Sequence, residues 1–247
     1  MPELDSIYDN CDLMAAGSLI PDWQPARRPD ARTLEGRFVR MEKLEPARHG
    51  DGLYAALHGP DSDAKLYDYL PWGPFSSRID FDTWLSAHTA KPDPWVYCVV
   101  DQRTGAVLGN IGLLGIAPTH GRIAIGGVMF GACMQRTPKG TEAFYLLAKE
   151  AFELGNRRLE WRCNSENARS RRAAERFGYT FEGVFRQQMV LKGINRNTAH
   201  LSILHTEWPA VREAFERWLA LENFDEAGQQ IKSLESFRVS PSARSAE

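Results

Sequence analysis

Cysteine is scarce, with 4 in 247 residues. Cys11, Cys98, Cys133 and Cys163 stand too far apart for a C-x-x-C pair. That spacing speaks against a zinc site and a disulfide framework, and it suits a reducing compartment. An excess of charge of one sign is also lacking. Lys and Arg number 30 against 32 Asp and Glu, a net charge of −2, which provides no broad field to gather nucleic acid. No apolar run reaches the roughly 20 residues that a membrane span needs. The opening Met1 to Ser6 has neither the basic nor the apolar segment of a signal peptide. These absences lead to the expectation of a cytoplasmic protein with no metal, no nucleic-acid partner and no membrane partner. What is present, 43% apolar and 25% charged residues, is ordinary for a globular chain long enough to bury a sizeable core.

Residues 1–30 are rich in Pro, Asp and Arg and read as an arm wrapped on the surface or left mobile. Gly36 to Leu44 alternates as a first strand. Helical pieces follow at Gly52 to His58 and Phe81 to His88, separated by the aromatic, Pro-containing stretch Tyr67 to Phe75. Strands are expected at Trp95 to Val100, Ala106 to Ile116 and Ile123 to Phe130. The clearest helix is Thr141 to Leu154, where Phe144, Leu147, Ala148, Ala151 and Phe152 recur at helical spacing before Gly155. A strand at Arg158 to Cys163 precedes a helix opened by Asn167. Two strands, Phe181 to Leu191 and Thr198 to Leu204, turn at Lys192 to Asn195. A last helix, Pro209 to Leu221, leads into a tail from 222 to 247 that is expected to fray. Strands that pair in sequence, followed by strand-helix-strand units, give a mixed α+β class.

Two junctions carry the chemistry. After Gly127 to Phe130, the turn Gly131-Ala-Cys-Met-Gln135-Arg136-Thr137-Pro138-Lys139-Gly140-Thr141 runs into the best helix. A helix N-terminus offers unpaired N–H groups and partial positive charge, which attract phosphate. Arg136 and Lys139 add charge, and Gly140 permits close approach of the backbone. An ordinary loop capped by Thr137, with Pro138 at the first helical position, fits the same residues. At the second junction, Asn167 and Ser170 stand at the mouth of a helix whose stripe is Ala173, Ala174 and Phe177 and whose stop is Gly178. Asn167 there is also a plain helix cap.

The wording of the second junction, with Glu182, Gly183 and Arg186 after it, resembles the C-terminal half of GCN5-related N-acetyltransferases (GNAT), in the branch of the ribosomal-protein enzymes RimJ and RimL. Gln135 and Gly140 match the family's Q/R-x-x-G-x-G/A loop, while Pro138 replaces its first glycine. The resemblance spans about residues 31–209, dividing the chain into an arm (1–30), the acetyltransferase domain (31–209) and a C-terminal helix with a flexible tail (210–247).

The resemblance implies a mostly antiparallel, twisted sheet splayed into a V and flanked by helices. It implies acetyl-CoA as cosubstrate, its diphosphate held by Gln135, Arg136, Thr137, Lys139, Gly140 and Thr141, with Arg171 nearby. The pantetheine arm would lie along Val128, Met129 and Phe130 and bond to Asn167, and Ser170 would protonate the leaving thiolate. Relatives' glutamates are replaced at Ala124 and Met189, which leaves Glu160 and His200 as candidate bases. For Glu160 an ion pair with Arg162 is the plainer role. For Glu182 a strand-edge ion pair is the plainer role. Asp68, Tyr69 and Trp72 would line the acceptor pocket. The expected reaction is direct transfer of acetyl to a primary amine of a small molecule, lysine or protein N-terminus, with a homodimer allowed. Transfer of another acyl group such as succinyl, or a non-catalytic acyl-CoA sensor, are the alternatives.

Overall fold

Leu34–Glu35 (β1) and Val39–Lys43 (β2) form a short hairpin rather than one strand from Gly36. The cause is remote in sequence. The buried carboxylate of Glu142 accepts the amide hydrogens of Arg37, Phe38 and Val39 at 2.8, 2.6 and 2.8 Å, and so holds the bend. The computed structural model describes residues 20, 22–30, 32–135 and 137–238.

The remaining elements are Pro46–His58 (α1), Arg78–Thr89 (α2), Trp95–Asp101 (β3), Val107–Ala117 (β4), Arg122–Phe130 (β5), Pro138–Glu153 (α3), Arg158–Asn164 (β6), Ala168–Arg176 (α4), Thr180–Leu191 (β7), Ile194–Leu204 (β8) and Trp208–Leu219 (α5). The expected order holds, and the helix starts move upstream. Proline at the first turn costs no hydrogen bond, so Pro46 and Pro138 open α1 and α3. Ser77 caps α2 by accepting the Asp80 amide hydrogen at 3.2 Å. The β7–β8 hairpin turns on Lys192 and Gly193, both left-handed at φ +50° and +77°. That is the two-residue turn matched to strand twist, and it lets β8 begin at Ile194 rather than Thr198.

One sheet runs in the order β1-β2-β3-β4-β5-β6-β8-β7 among the described residues. All neighbours are antiparallel except β5 and β6. One face buries Ile123, Ile125, Leu159, Trp161 and Leu201 against Phe144 and Leu147 of α3, Ala174 of α4 and Phe215 of α5. The other buries Val96, Cys98 and Met129 under Leu53, Leu57, Phe81 and Leu85 of α1 and α2. Farther along this second face, the alternate residues of β6 and β8 are polar: Glu160, Arg162, Thr198, His200 and Ser202.

The described part of the N-terminal arm lies along the surface, with the Ala26 and Arg27 amides donating to Pro118 O and Leu154 O at 3.0 and 2.7 Å. Residues 1–19 and 21 of that arm lie outside the described residues. Residues 222–238, expected to fray, fold back on α5 instead. Asn223 Nδ2 donates to Trp218 O and Lys232 O at 3.0 and 3.1 Å, and Leu234 is buried in the main core. An amide that bridges two chain segments gives this stretch an anchor that its polar composition conceals. Residues 239–247 lie outside the described residues.

Candidate active site

The sheet forks between its two parallel strands. β5 and β6 share only the rungs Arg122↔Arg158, Ile123↔Leu159, Ala124↔Glu160 and Ile125↔Trp161. Beyond them β5 stays with β4 as far as Gly109↔Phe130, and β6 stays with β8 as far as Asn164↔Thr198. Residues 126–130 and 162–164 therefore face each other without a common rung. The departure begins at Gly127, whose φ of +61° disfavours other residues, where the β4–β5 register shifts. Buried Asn110 sustains the bulge by donating from Nδ2 to Gly127 O at 3.0 Å. Past it, Met129 packs under α1 and α2, while Val128 and Phe130 pack toward α3.

The tip of α3 stands at the end of β5. Thr137 does not cap it, because its hydroxyl donates back to Met134 O at 2.8 Å. With Pro138 lacking an N–H, the amides that follow have no side-chain cap. Gly140 is not required by the protein's own packing, since an added Cβ would meet nothing nearer than Met134 O at 3.5 Å. Thr141 is buried and its hydroxyl accepts from Arg176 Nη1 at 3.0 Å. Gln135 is half-buried just before the turn. Lys139, expected from the sequence to help hold a diphosphate, reaches back to Asp101 at 2.6 Å. Burial opposes ionisation of Asp101, yet the hydrogen bonds from Lys139 and Thr104 hold its carboxyl well below the usual carboxylate range. Arg136 lies outside the described residues.

Across the fork, Asn167 caps α4, its Oδ1 accepting the Ser170 amide hydrogen at 3.0 Å. The Ser170 hydroxyl oxygen accepts from Trp161 Nε1 at 2.9 Å, which leaves the hydroxyl hydrogen free to point elsewhere. Arg171 lies over the Phe181 ring at 5.4 Å. Cys163, next to this pair, is buried, and burial pushes its thiol up.

The two candidate bases lie on the polar part of the second face and differ in their surroundings. Glu160 is buried, accepts from Arg158 Nε at 2.9 Å and has Arg122 and Arg162 at 3.7 and 3.8 Å. His200 stacks on Phe185 at 4.0 Å, and its Nε2 is buried without a partner among the described residues. Burial, then the charge of Arg162, push the His200 pKa down, favouring neutral imidazole. Glu182 makes the strand-edge ion pair, bonded to both terminal nitrogens of Arg158 and to Ser202 Oγ. Of the aromatic stretch, Trp72 lies beside the bulge, its Nε1 on Met129 Sδ at 3.3 Å. Tyr69 Oη donates to Glu166 O at 3.4 Å, just before α4. Asp68 is exposed to solvent. Tyr67 is buried on His58, and burial pushes its phenol up to about 12.

Asn110 and Trp161 escaped the sequence reading. Asn110 carries a signal, as a polar residue within an apolar strand. Trp161 carries none, since the hydroxyl it aims is nine residues on. Among the described residues no group of three metal-ligand side chains occurs, and no helix is long and apolar enough to cross a membrane.

A forked mixed sheet, with a bulged strand ending at an uncapped helix tip, defines an acyltransferase architecture. The chain belongs to the GNAT acetyltransferase family, whose acetyltransferase (GNAT) domain model matches residues 42–180. A GCN5-related N-acetyltransferase from Brucella melitensis is 45% identical, covering 89% of this chain and 99% of that one with a TM-score of 0.86. A probable GNAT acetyltransferase from Chromobacterium violaceum is 40% identical over 78% of this chain and 96% of its own, at a TM-score of 0.73. The ribosomal L7/L12 acetyltransferase RimL, at 17% identity, TM-score 0.61, and coverage of 70% and 94%, shares the fold. No curated protein matches the chain. The expected family and the expected α+β fold are both borne out.

Proposed function

We propose that the protein transfers the acetyl group of acetyl-CoA directly to a primary amine within a ternary complex. The observation that carries this reading is the fork, where two bare strand edges lead toward an uncapped helix tip. Those groups fit the cosubstrate. The α3 amides, with Gly140 open beside them, suit a diphosphate, and the bare edge of 126–130 suits an amide-linked arm lying as an added strand. Asn167, whose Oδ1 is used in capping, keeps its Nδ2 hydrogens for a carbonyl of that arm. Acetyl-CoA supplies the activated thioester.

A backbone N–H near Met129 to Phe130 stabilises the negative charge that builds on the acetyl oxygen. As the C–N bond forms and the C–S bond breaks, the Ser170 hydroxyl delivers a proton to the departing sulfur and regains one from water. The amine proton passes to His200 Nε2, which has no hydrogen-bond partner among the described residues, whereas Glu160 is engaged by Arg158 through Oε1. Trp72 and Tyr69 wall the acceptor side, with Asp68 at its outer edge. Lys139 acts through Asp101, and Arg171 lies on the α4 side of the cosubstrate. The engaged state of Glu160 and the alanine at 124 favour, as a second reading, a sensor that binds acyl-CoA without turnover.

Titration calorimetry with acetyl-CoA, followed by thiol release over a panel of amines, tests both. Asn167→Ala is expected to weaken acetyl-CoA binding about tenfold, the worth of a hydrogen bond to a buried carbonyl. Gly140→Val is expected to abolish it by meeting the diphosphate. Unchanged affinity in both variants removes the site, and tight binding with no thiol release from any amine favours the sensor.

A further inference from the structure

Buried polar atoms in folded proteins are nearly always paired, so those left bare mark a place for something else. Four of them share one patch. Arg162 Nε, Arg196 Nε, Thr198 Oγ1 and His200 Nε2 are buried without a partner among the described residues. Arg162 is the first residue past the closed end of the fork and pairs across strands with His200. Arg196, Thr198 and His200 alternate along β8 on that same face.

The Arg162 guanidinium reaches across β5 to β4, where a Cβ added at Gly115 would lie 2.7 Å from its Nη2. Glycine at 115 thus leaves the room that the guanidinium uses. The patch is overlooked by the loop after α1, which is tied down on two sides. Lys192 Nζ donates to Tyr67 O at 2.9 Å and Tyr69 Oη donates to Glu166 O at 3.4 Å.

The charges here do not cancel. Arg158 is taken up by Glu160 and Glu182. Arg162 comes no nearer to a carboxylate than 3.8 Å, at Glu160, and Arg196 forms no ion pair among the described residues. Burial works against the charge of Arg196, and the neighbouring Arg162 adds to that effect. Two partly desolvated guanidinium groups on one face, with the charge of Arg162 opposing that of Arg196, are costly unless an anion joins them, and their fork geometry matches an oxyanion.

We propose that Arg162 and Arg196 form an oxyanion subsite on the acceptor side of the fork, so that the acetylated amine also carries a carboxylate or a phosphate. This rests on the transfer reading above and adds the class of acceptor. The two arginines are specificity residues, and they orient the amine by holding its anionic end.

Thiol release is measured with acetyl-CoA and three sets of acceptors: α-amino acids, the matching α-amino amides, and ω-aminoalkylphosphonates. At least one acid or phosphonate is expected to exceed every neutral amide about tenfold in kcat/KM, as the loss of one charge-assisted contact predicts. The responding set distinguishes carboxylate from phosphate. Arg162→Gln and Arg196→Gln are expected to raise KM for the anionic acceptor and erase the preference, with the Kd for acetyl-CoA unchanged. Equal rates with neutral amines, or a preference that survives both substitutions, overturns the subsite. Failure of transfer reads differently, as absent thiol release from every acceptor. In that event thermal unfolding of the CoA-saturated protein decides. Acids or phosphonates must raise Tm above the amides in the wild type and not in Arg196→Gln, and a lack of that difference overturns the subsite independently.

Discussion

A single hydrogen bond illustrates how function is set at the residue scale. Ser170 is legible in the sequence because it follows Asn167 at helix-mouth spacing. Its orientation is not, because the group that fixes it, Trp161 Nε1, belongs to a strand on the other side of a turn. Trp161→Phe keeps the stack on Phe144, now at 5.0 Å, and removes only the N–H donor. The expected cost is about 1 kcal/mol of stability by urea unfolding. If Ser170 delivers the proton to sulfur, kcat falls while the acetyl-CoA Kd stays the same. A matching loss in both constants would instead assign Trp161 to binding. Lys139 shows the opposite limit of residue-level reading. Beside a helix tip it looks like a phosphate ligand, and the structure adds an ion pair with Asp101, at the end of β3, that no local pattern announces.

Elements were legible wherever local rules decide them. The periodic stripe of α3, the β7–β8 turn and the stop at Gly178 all follow from spacing and turn chemistry. The β1–β2 bend was not legible, because a carboxylate on α3 makes it. Glu142 presents its oxygens to three consecutive amides, so one side chain does for the bend what a ladder does for a strand. Glu142→Ala strands those donors, of which the Val39 amide is buried and the other two are partly open to solvent. With about 1–3 kcal/mol for a buried unsatisfied donor, and less for the two that water can reach, the loss expected in equilibrium unfolding is about 2–3 kcal/mol. A loss below 1 kcal/mol would mean that the bend finds water or another acceptor, and that the clamp matters little. The fork itself was reached only through resemblance to a family, because where parallel pairing ceases depends on a bulge at Gly127 and on Asn110 across the strand, neither of which shows as a break in the apolar pattern.

For the molecule as a whole, the fork divides the sheet into a large part, β1 to β5, and a smaller part, β6 to β8, joined by few rungs. Below the closed end, Arg158 on β6 binds Glu182 on β7, with Ser202 of β8 completing the set. The hydrogen bonds from Arg158 first, and Ser202 after it, hold the Glu182 carboxyl down at about 2, against an ordinary 4.5. The folded state therefore takes up this proton less readily than the unfolded chain. The stabilisation is complete above pH 4.5 and is lost as pH falls toward 2. Arg158→Met should flatten the acid side of a Tm-against-pH curve in that window, with little further change in its shape near neutrality. A curve unaltered between those limits would show that the pair is too well solvated to count. The fold order could be read from the chain at this scale, whereas the C-terminal segment could not, since its anchors are single residues, the Asn223 amide and the Leu234 side chain, set in a polar stretch.

Open strand edges on a protein's exterior invite other chains to pair with them. Here the open edges of β5 and β6 are turned inward, toward each other. Strands in a sheet lie about 4.8 Å apart, so a thread seated as an added strand between the two edges needs them about twice that far apart, which is room for one extended chain and not for a folded partner. The gap thus acts as a gauge for width. On the proposed function it admits a slender, flexible arm, while the same bare backbone is kept from the polymerising contacts that an outer edge would suffer.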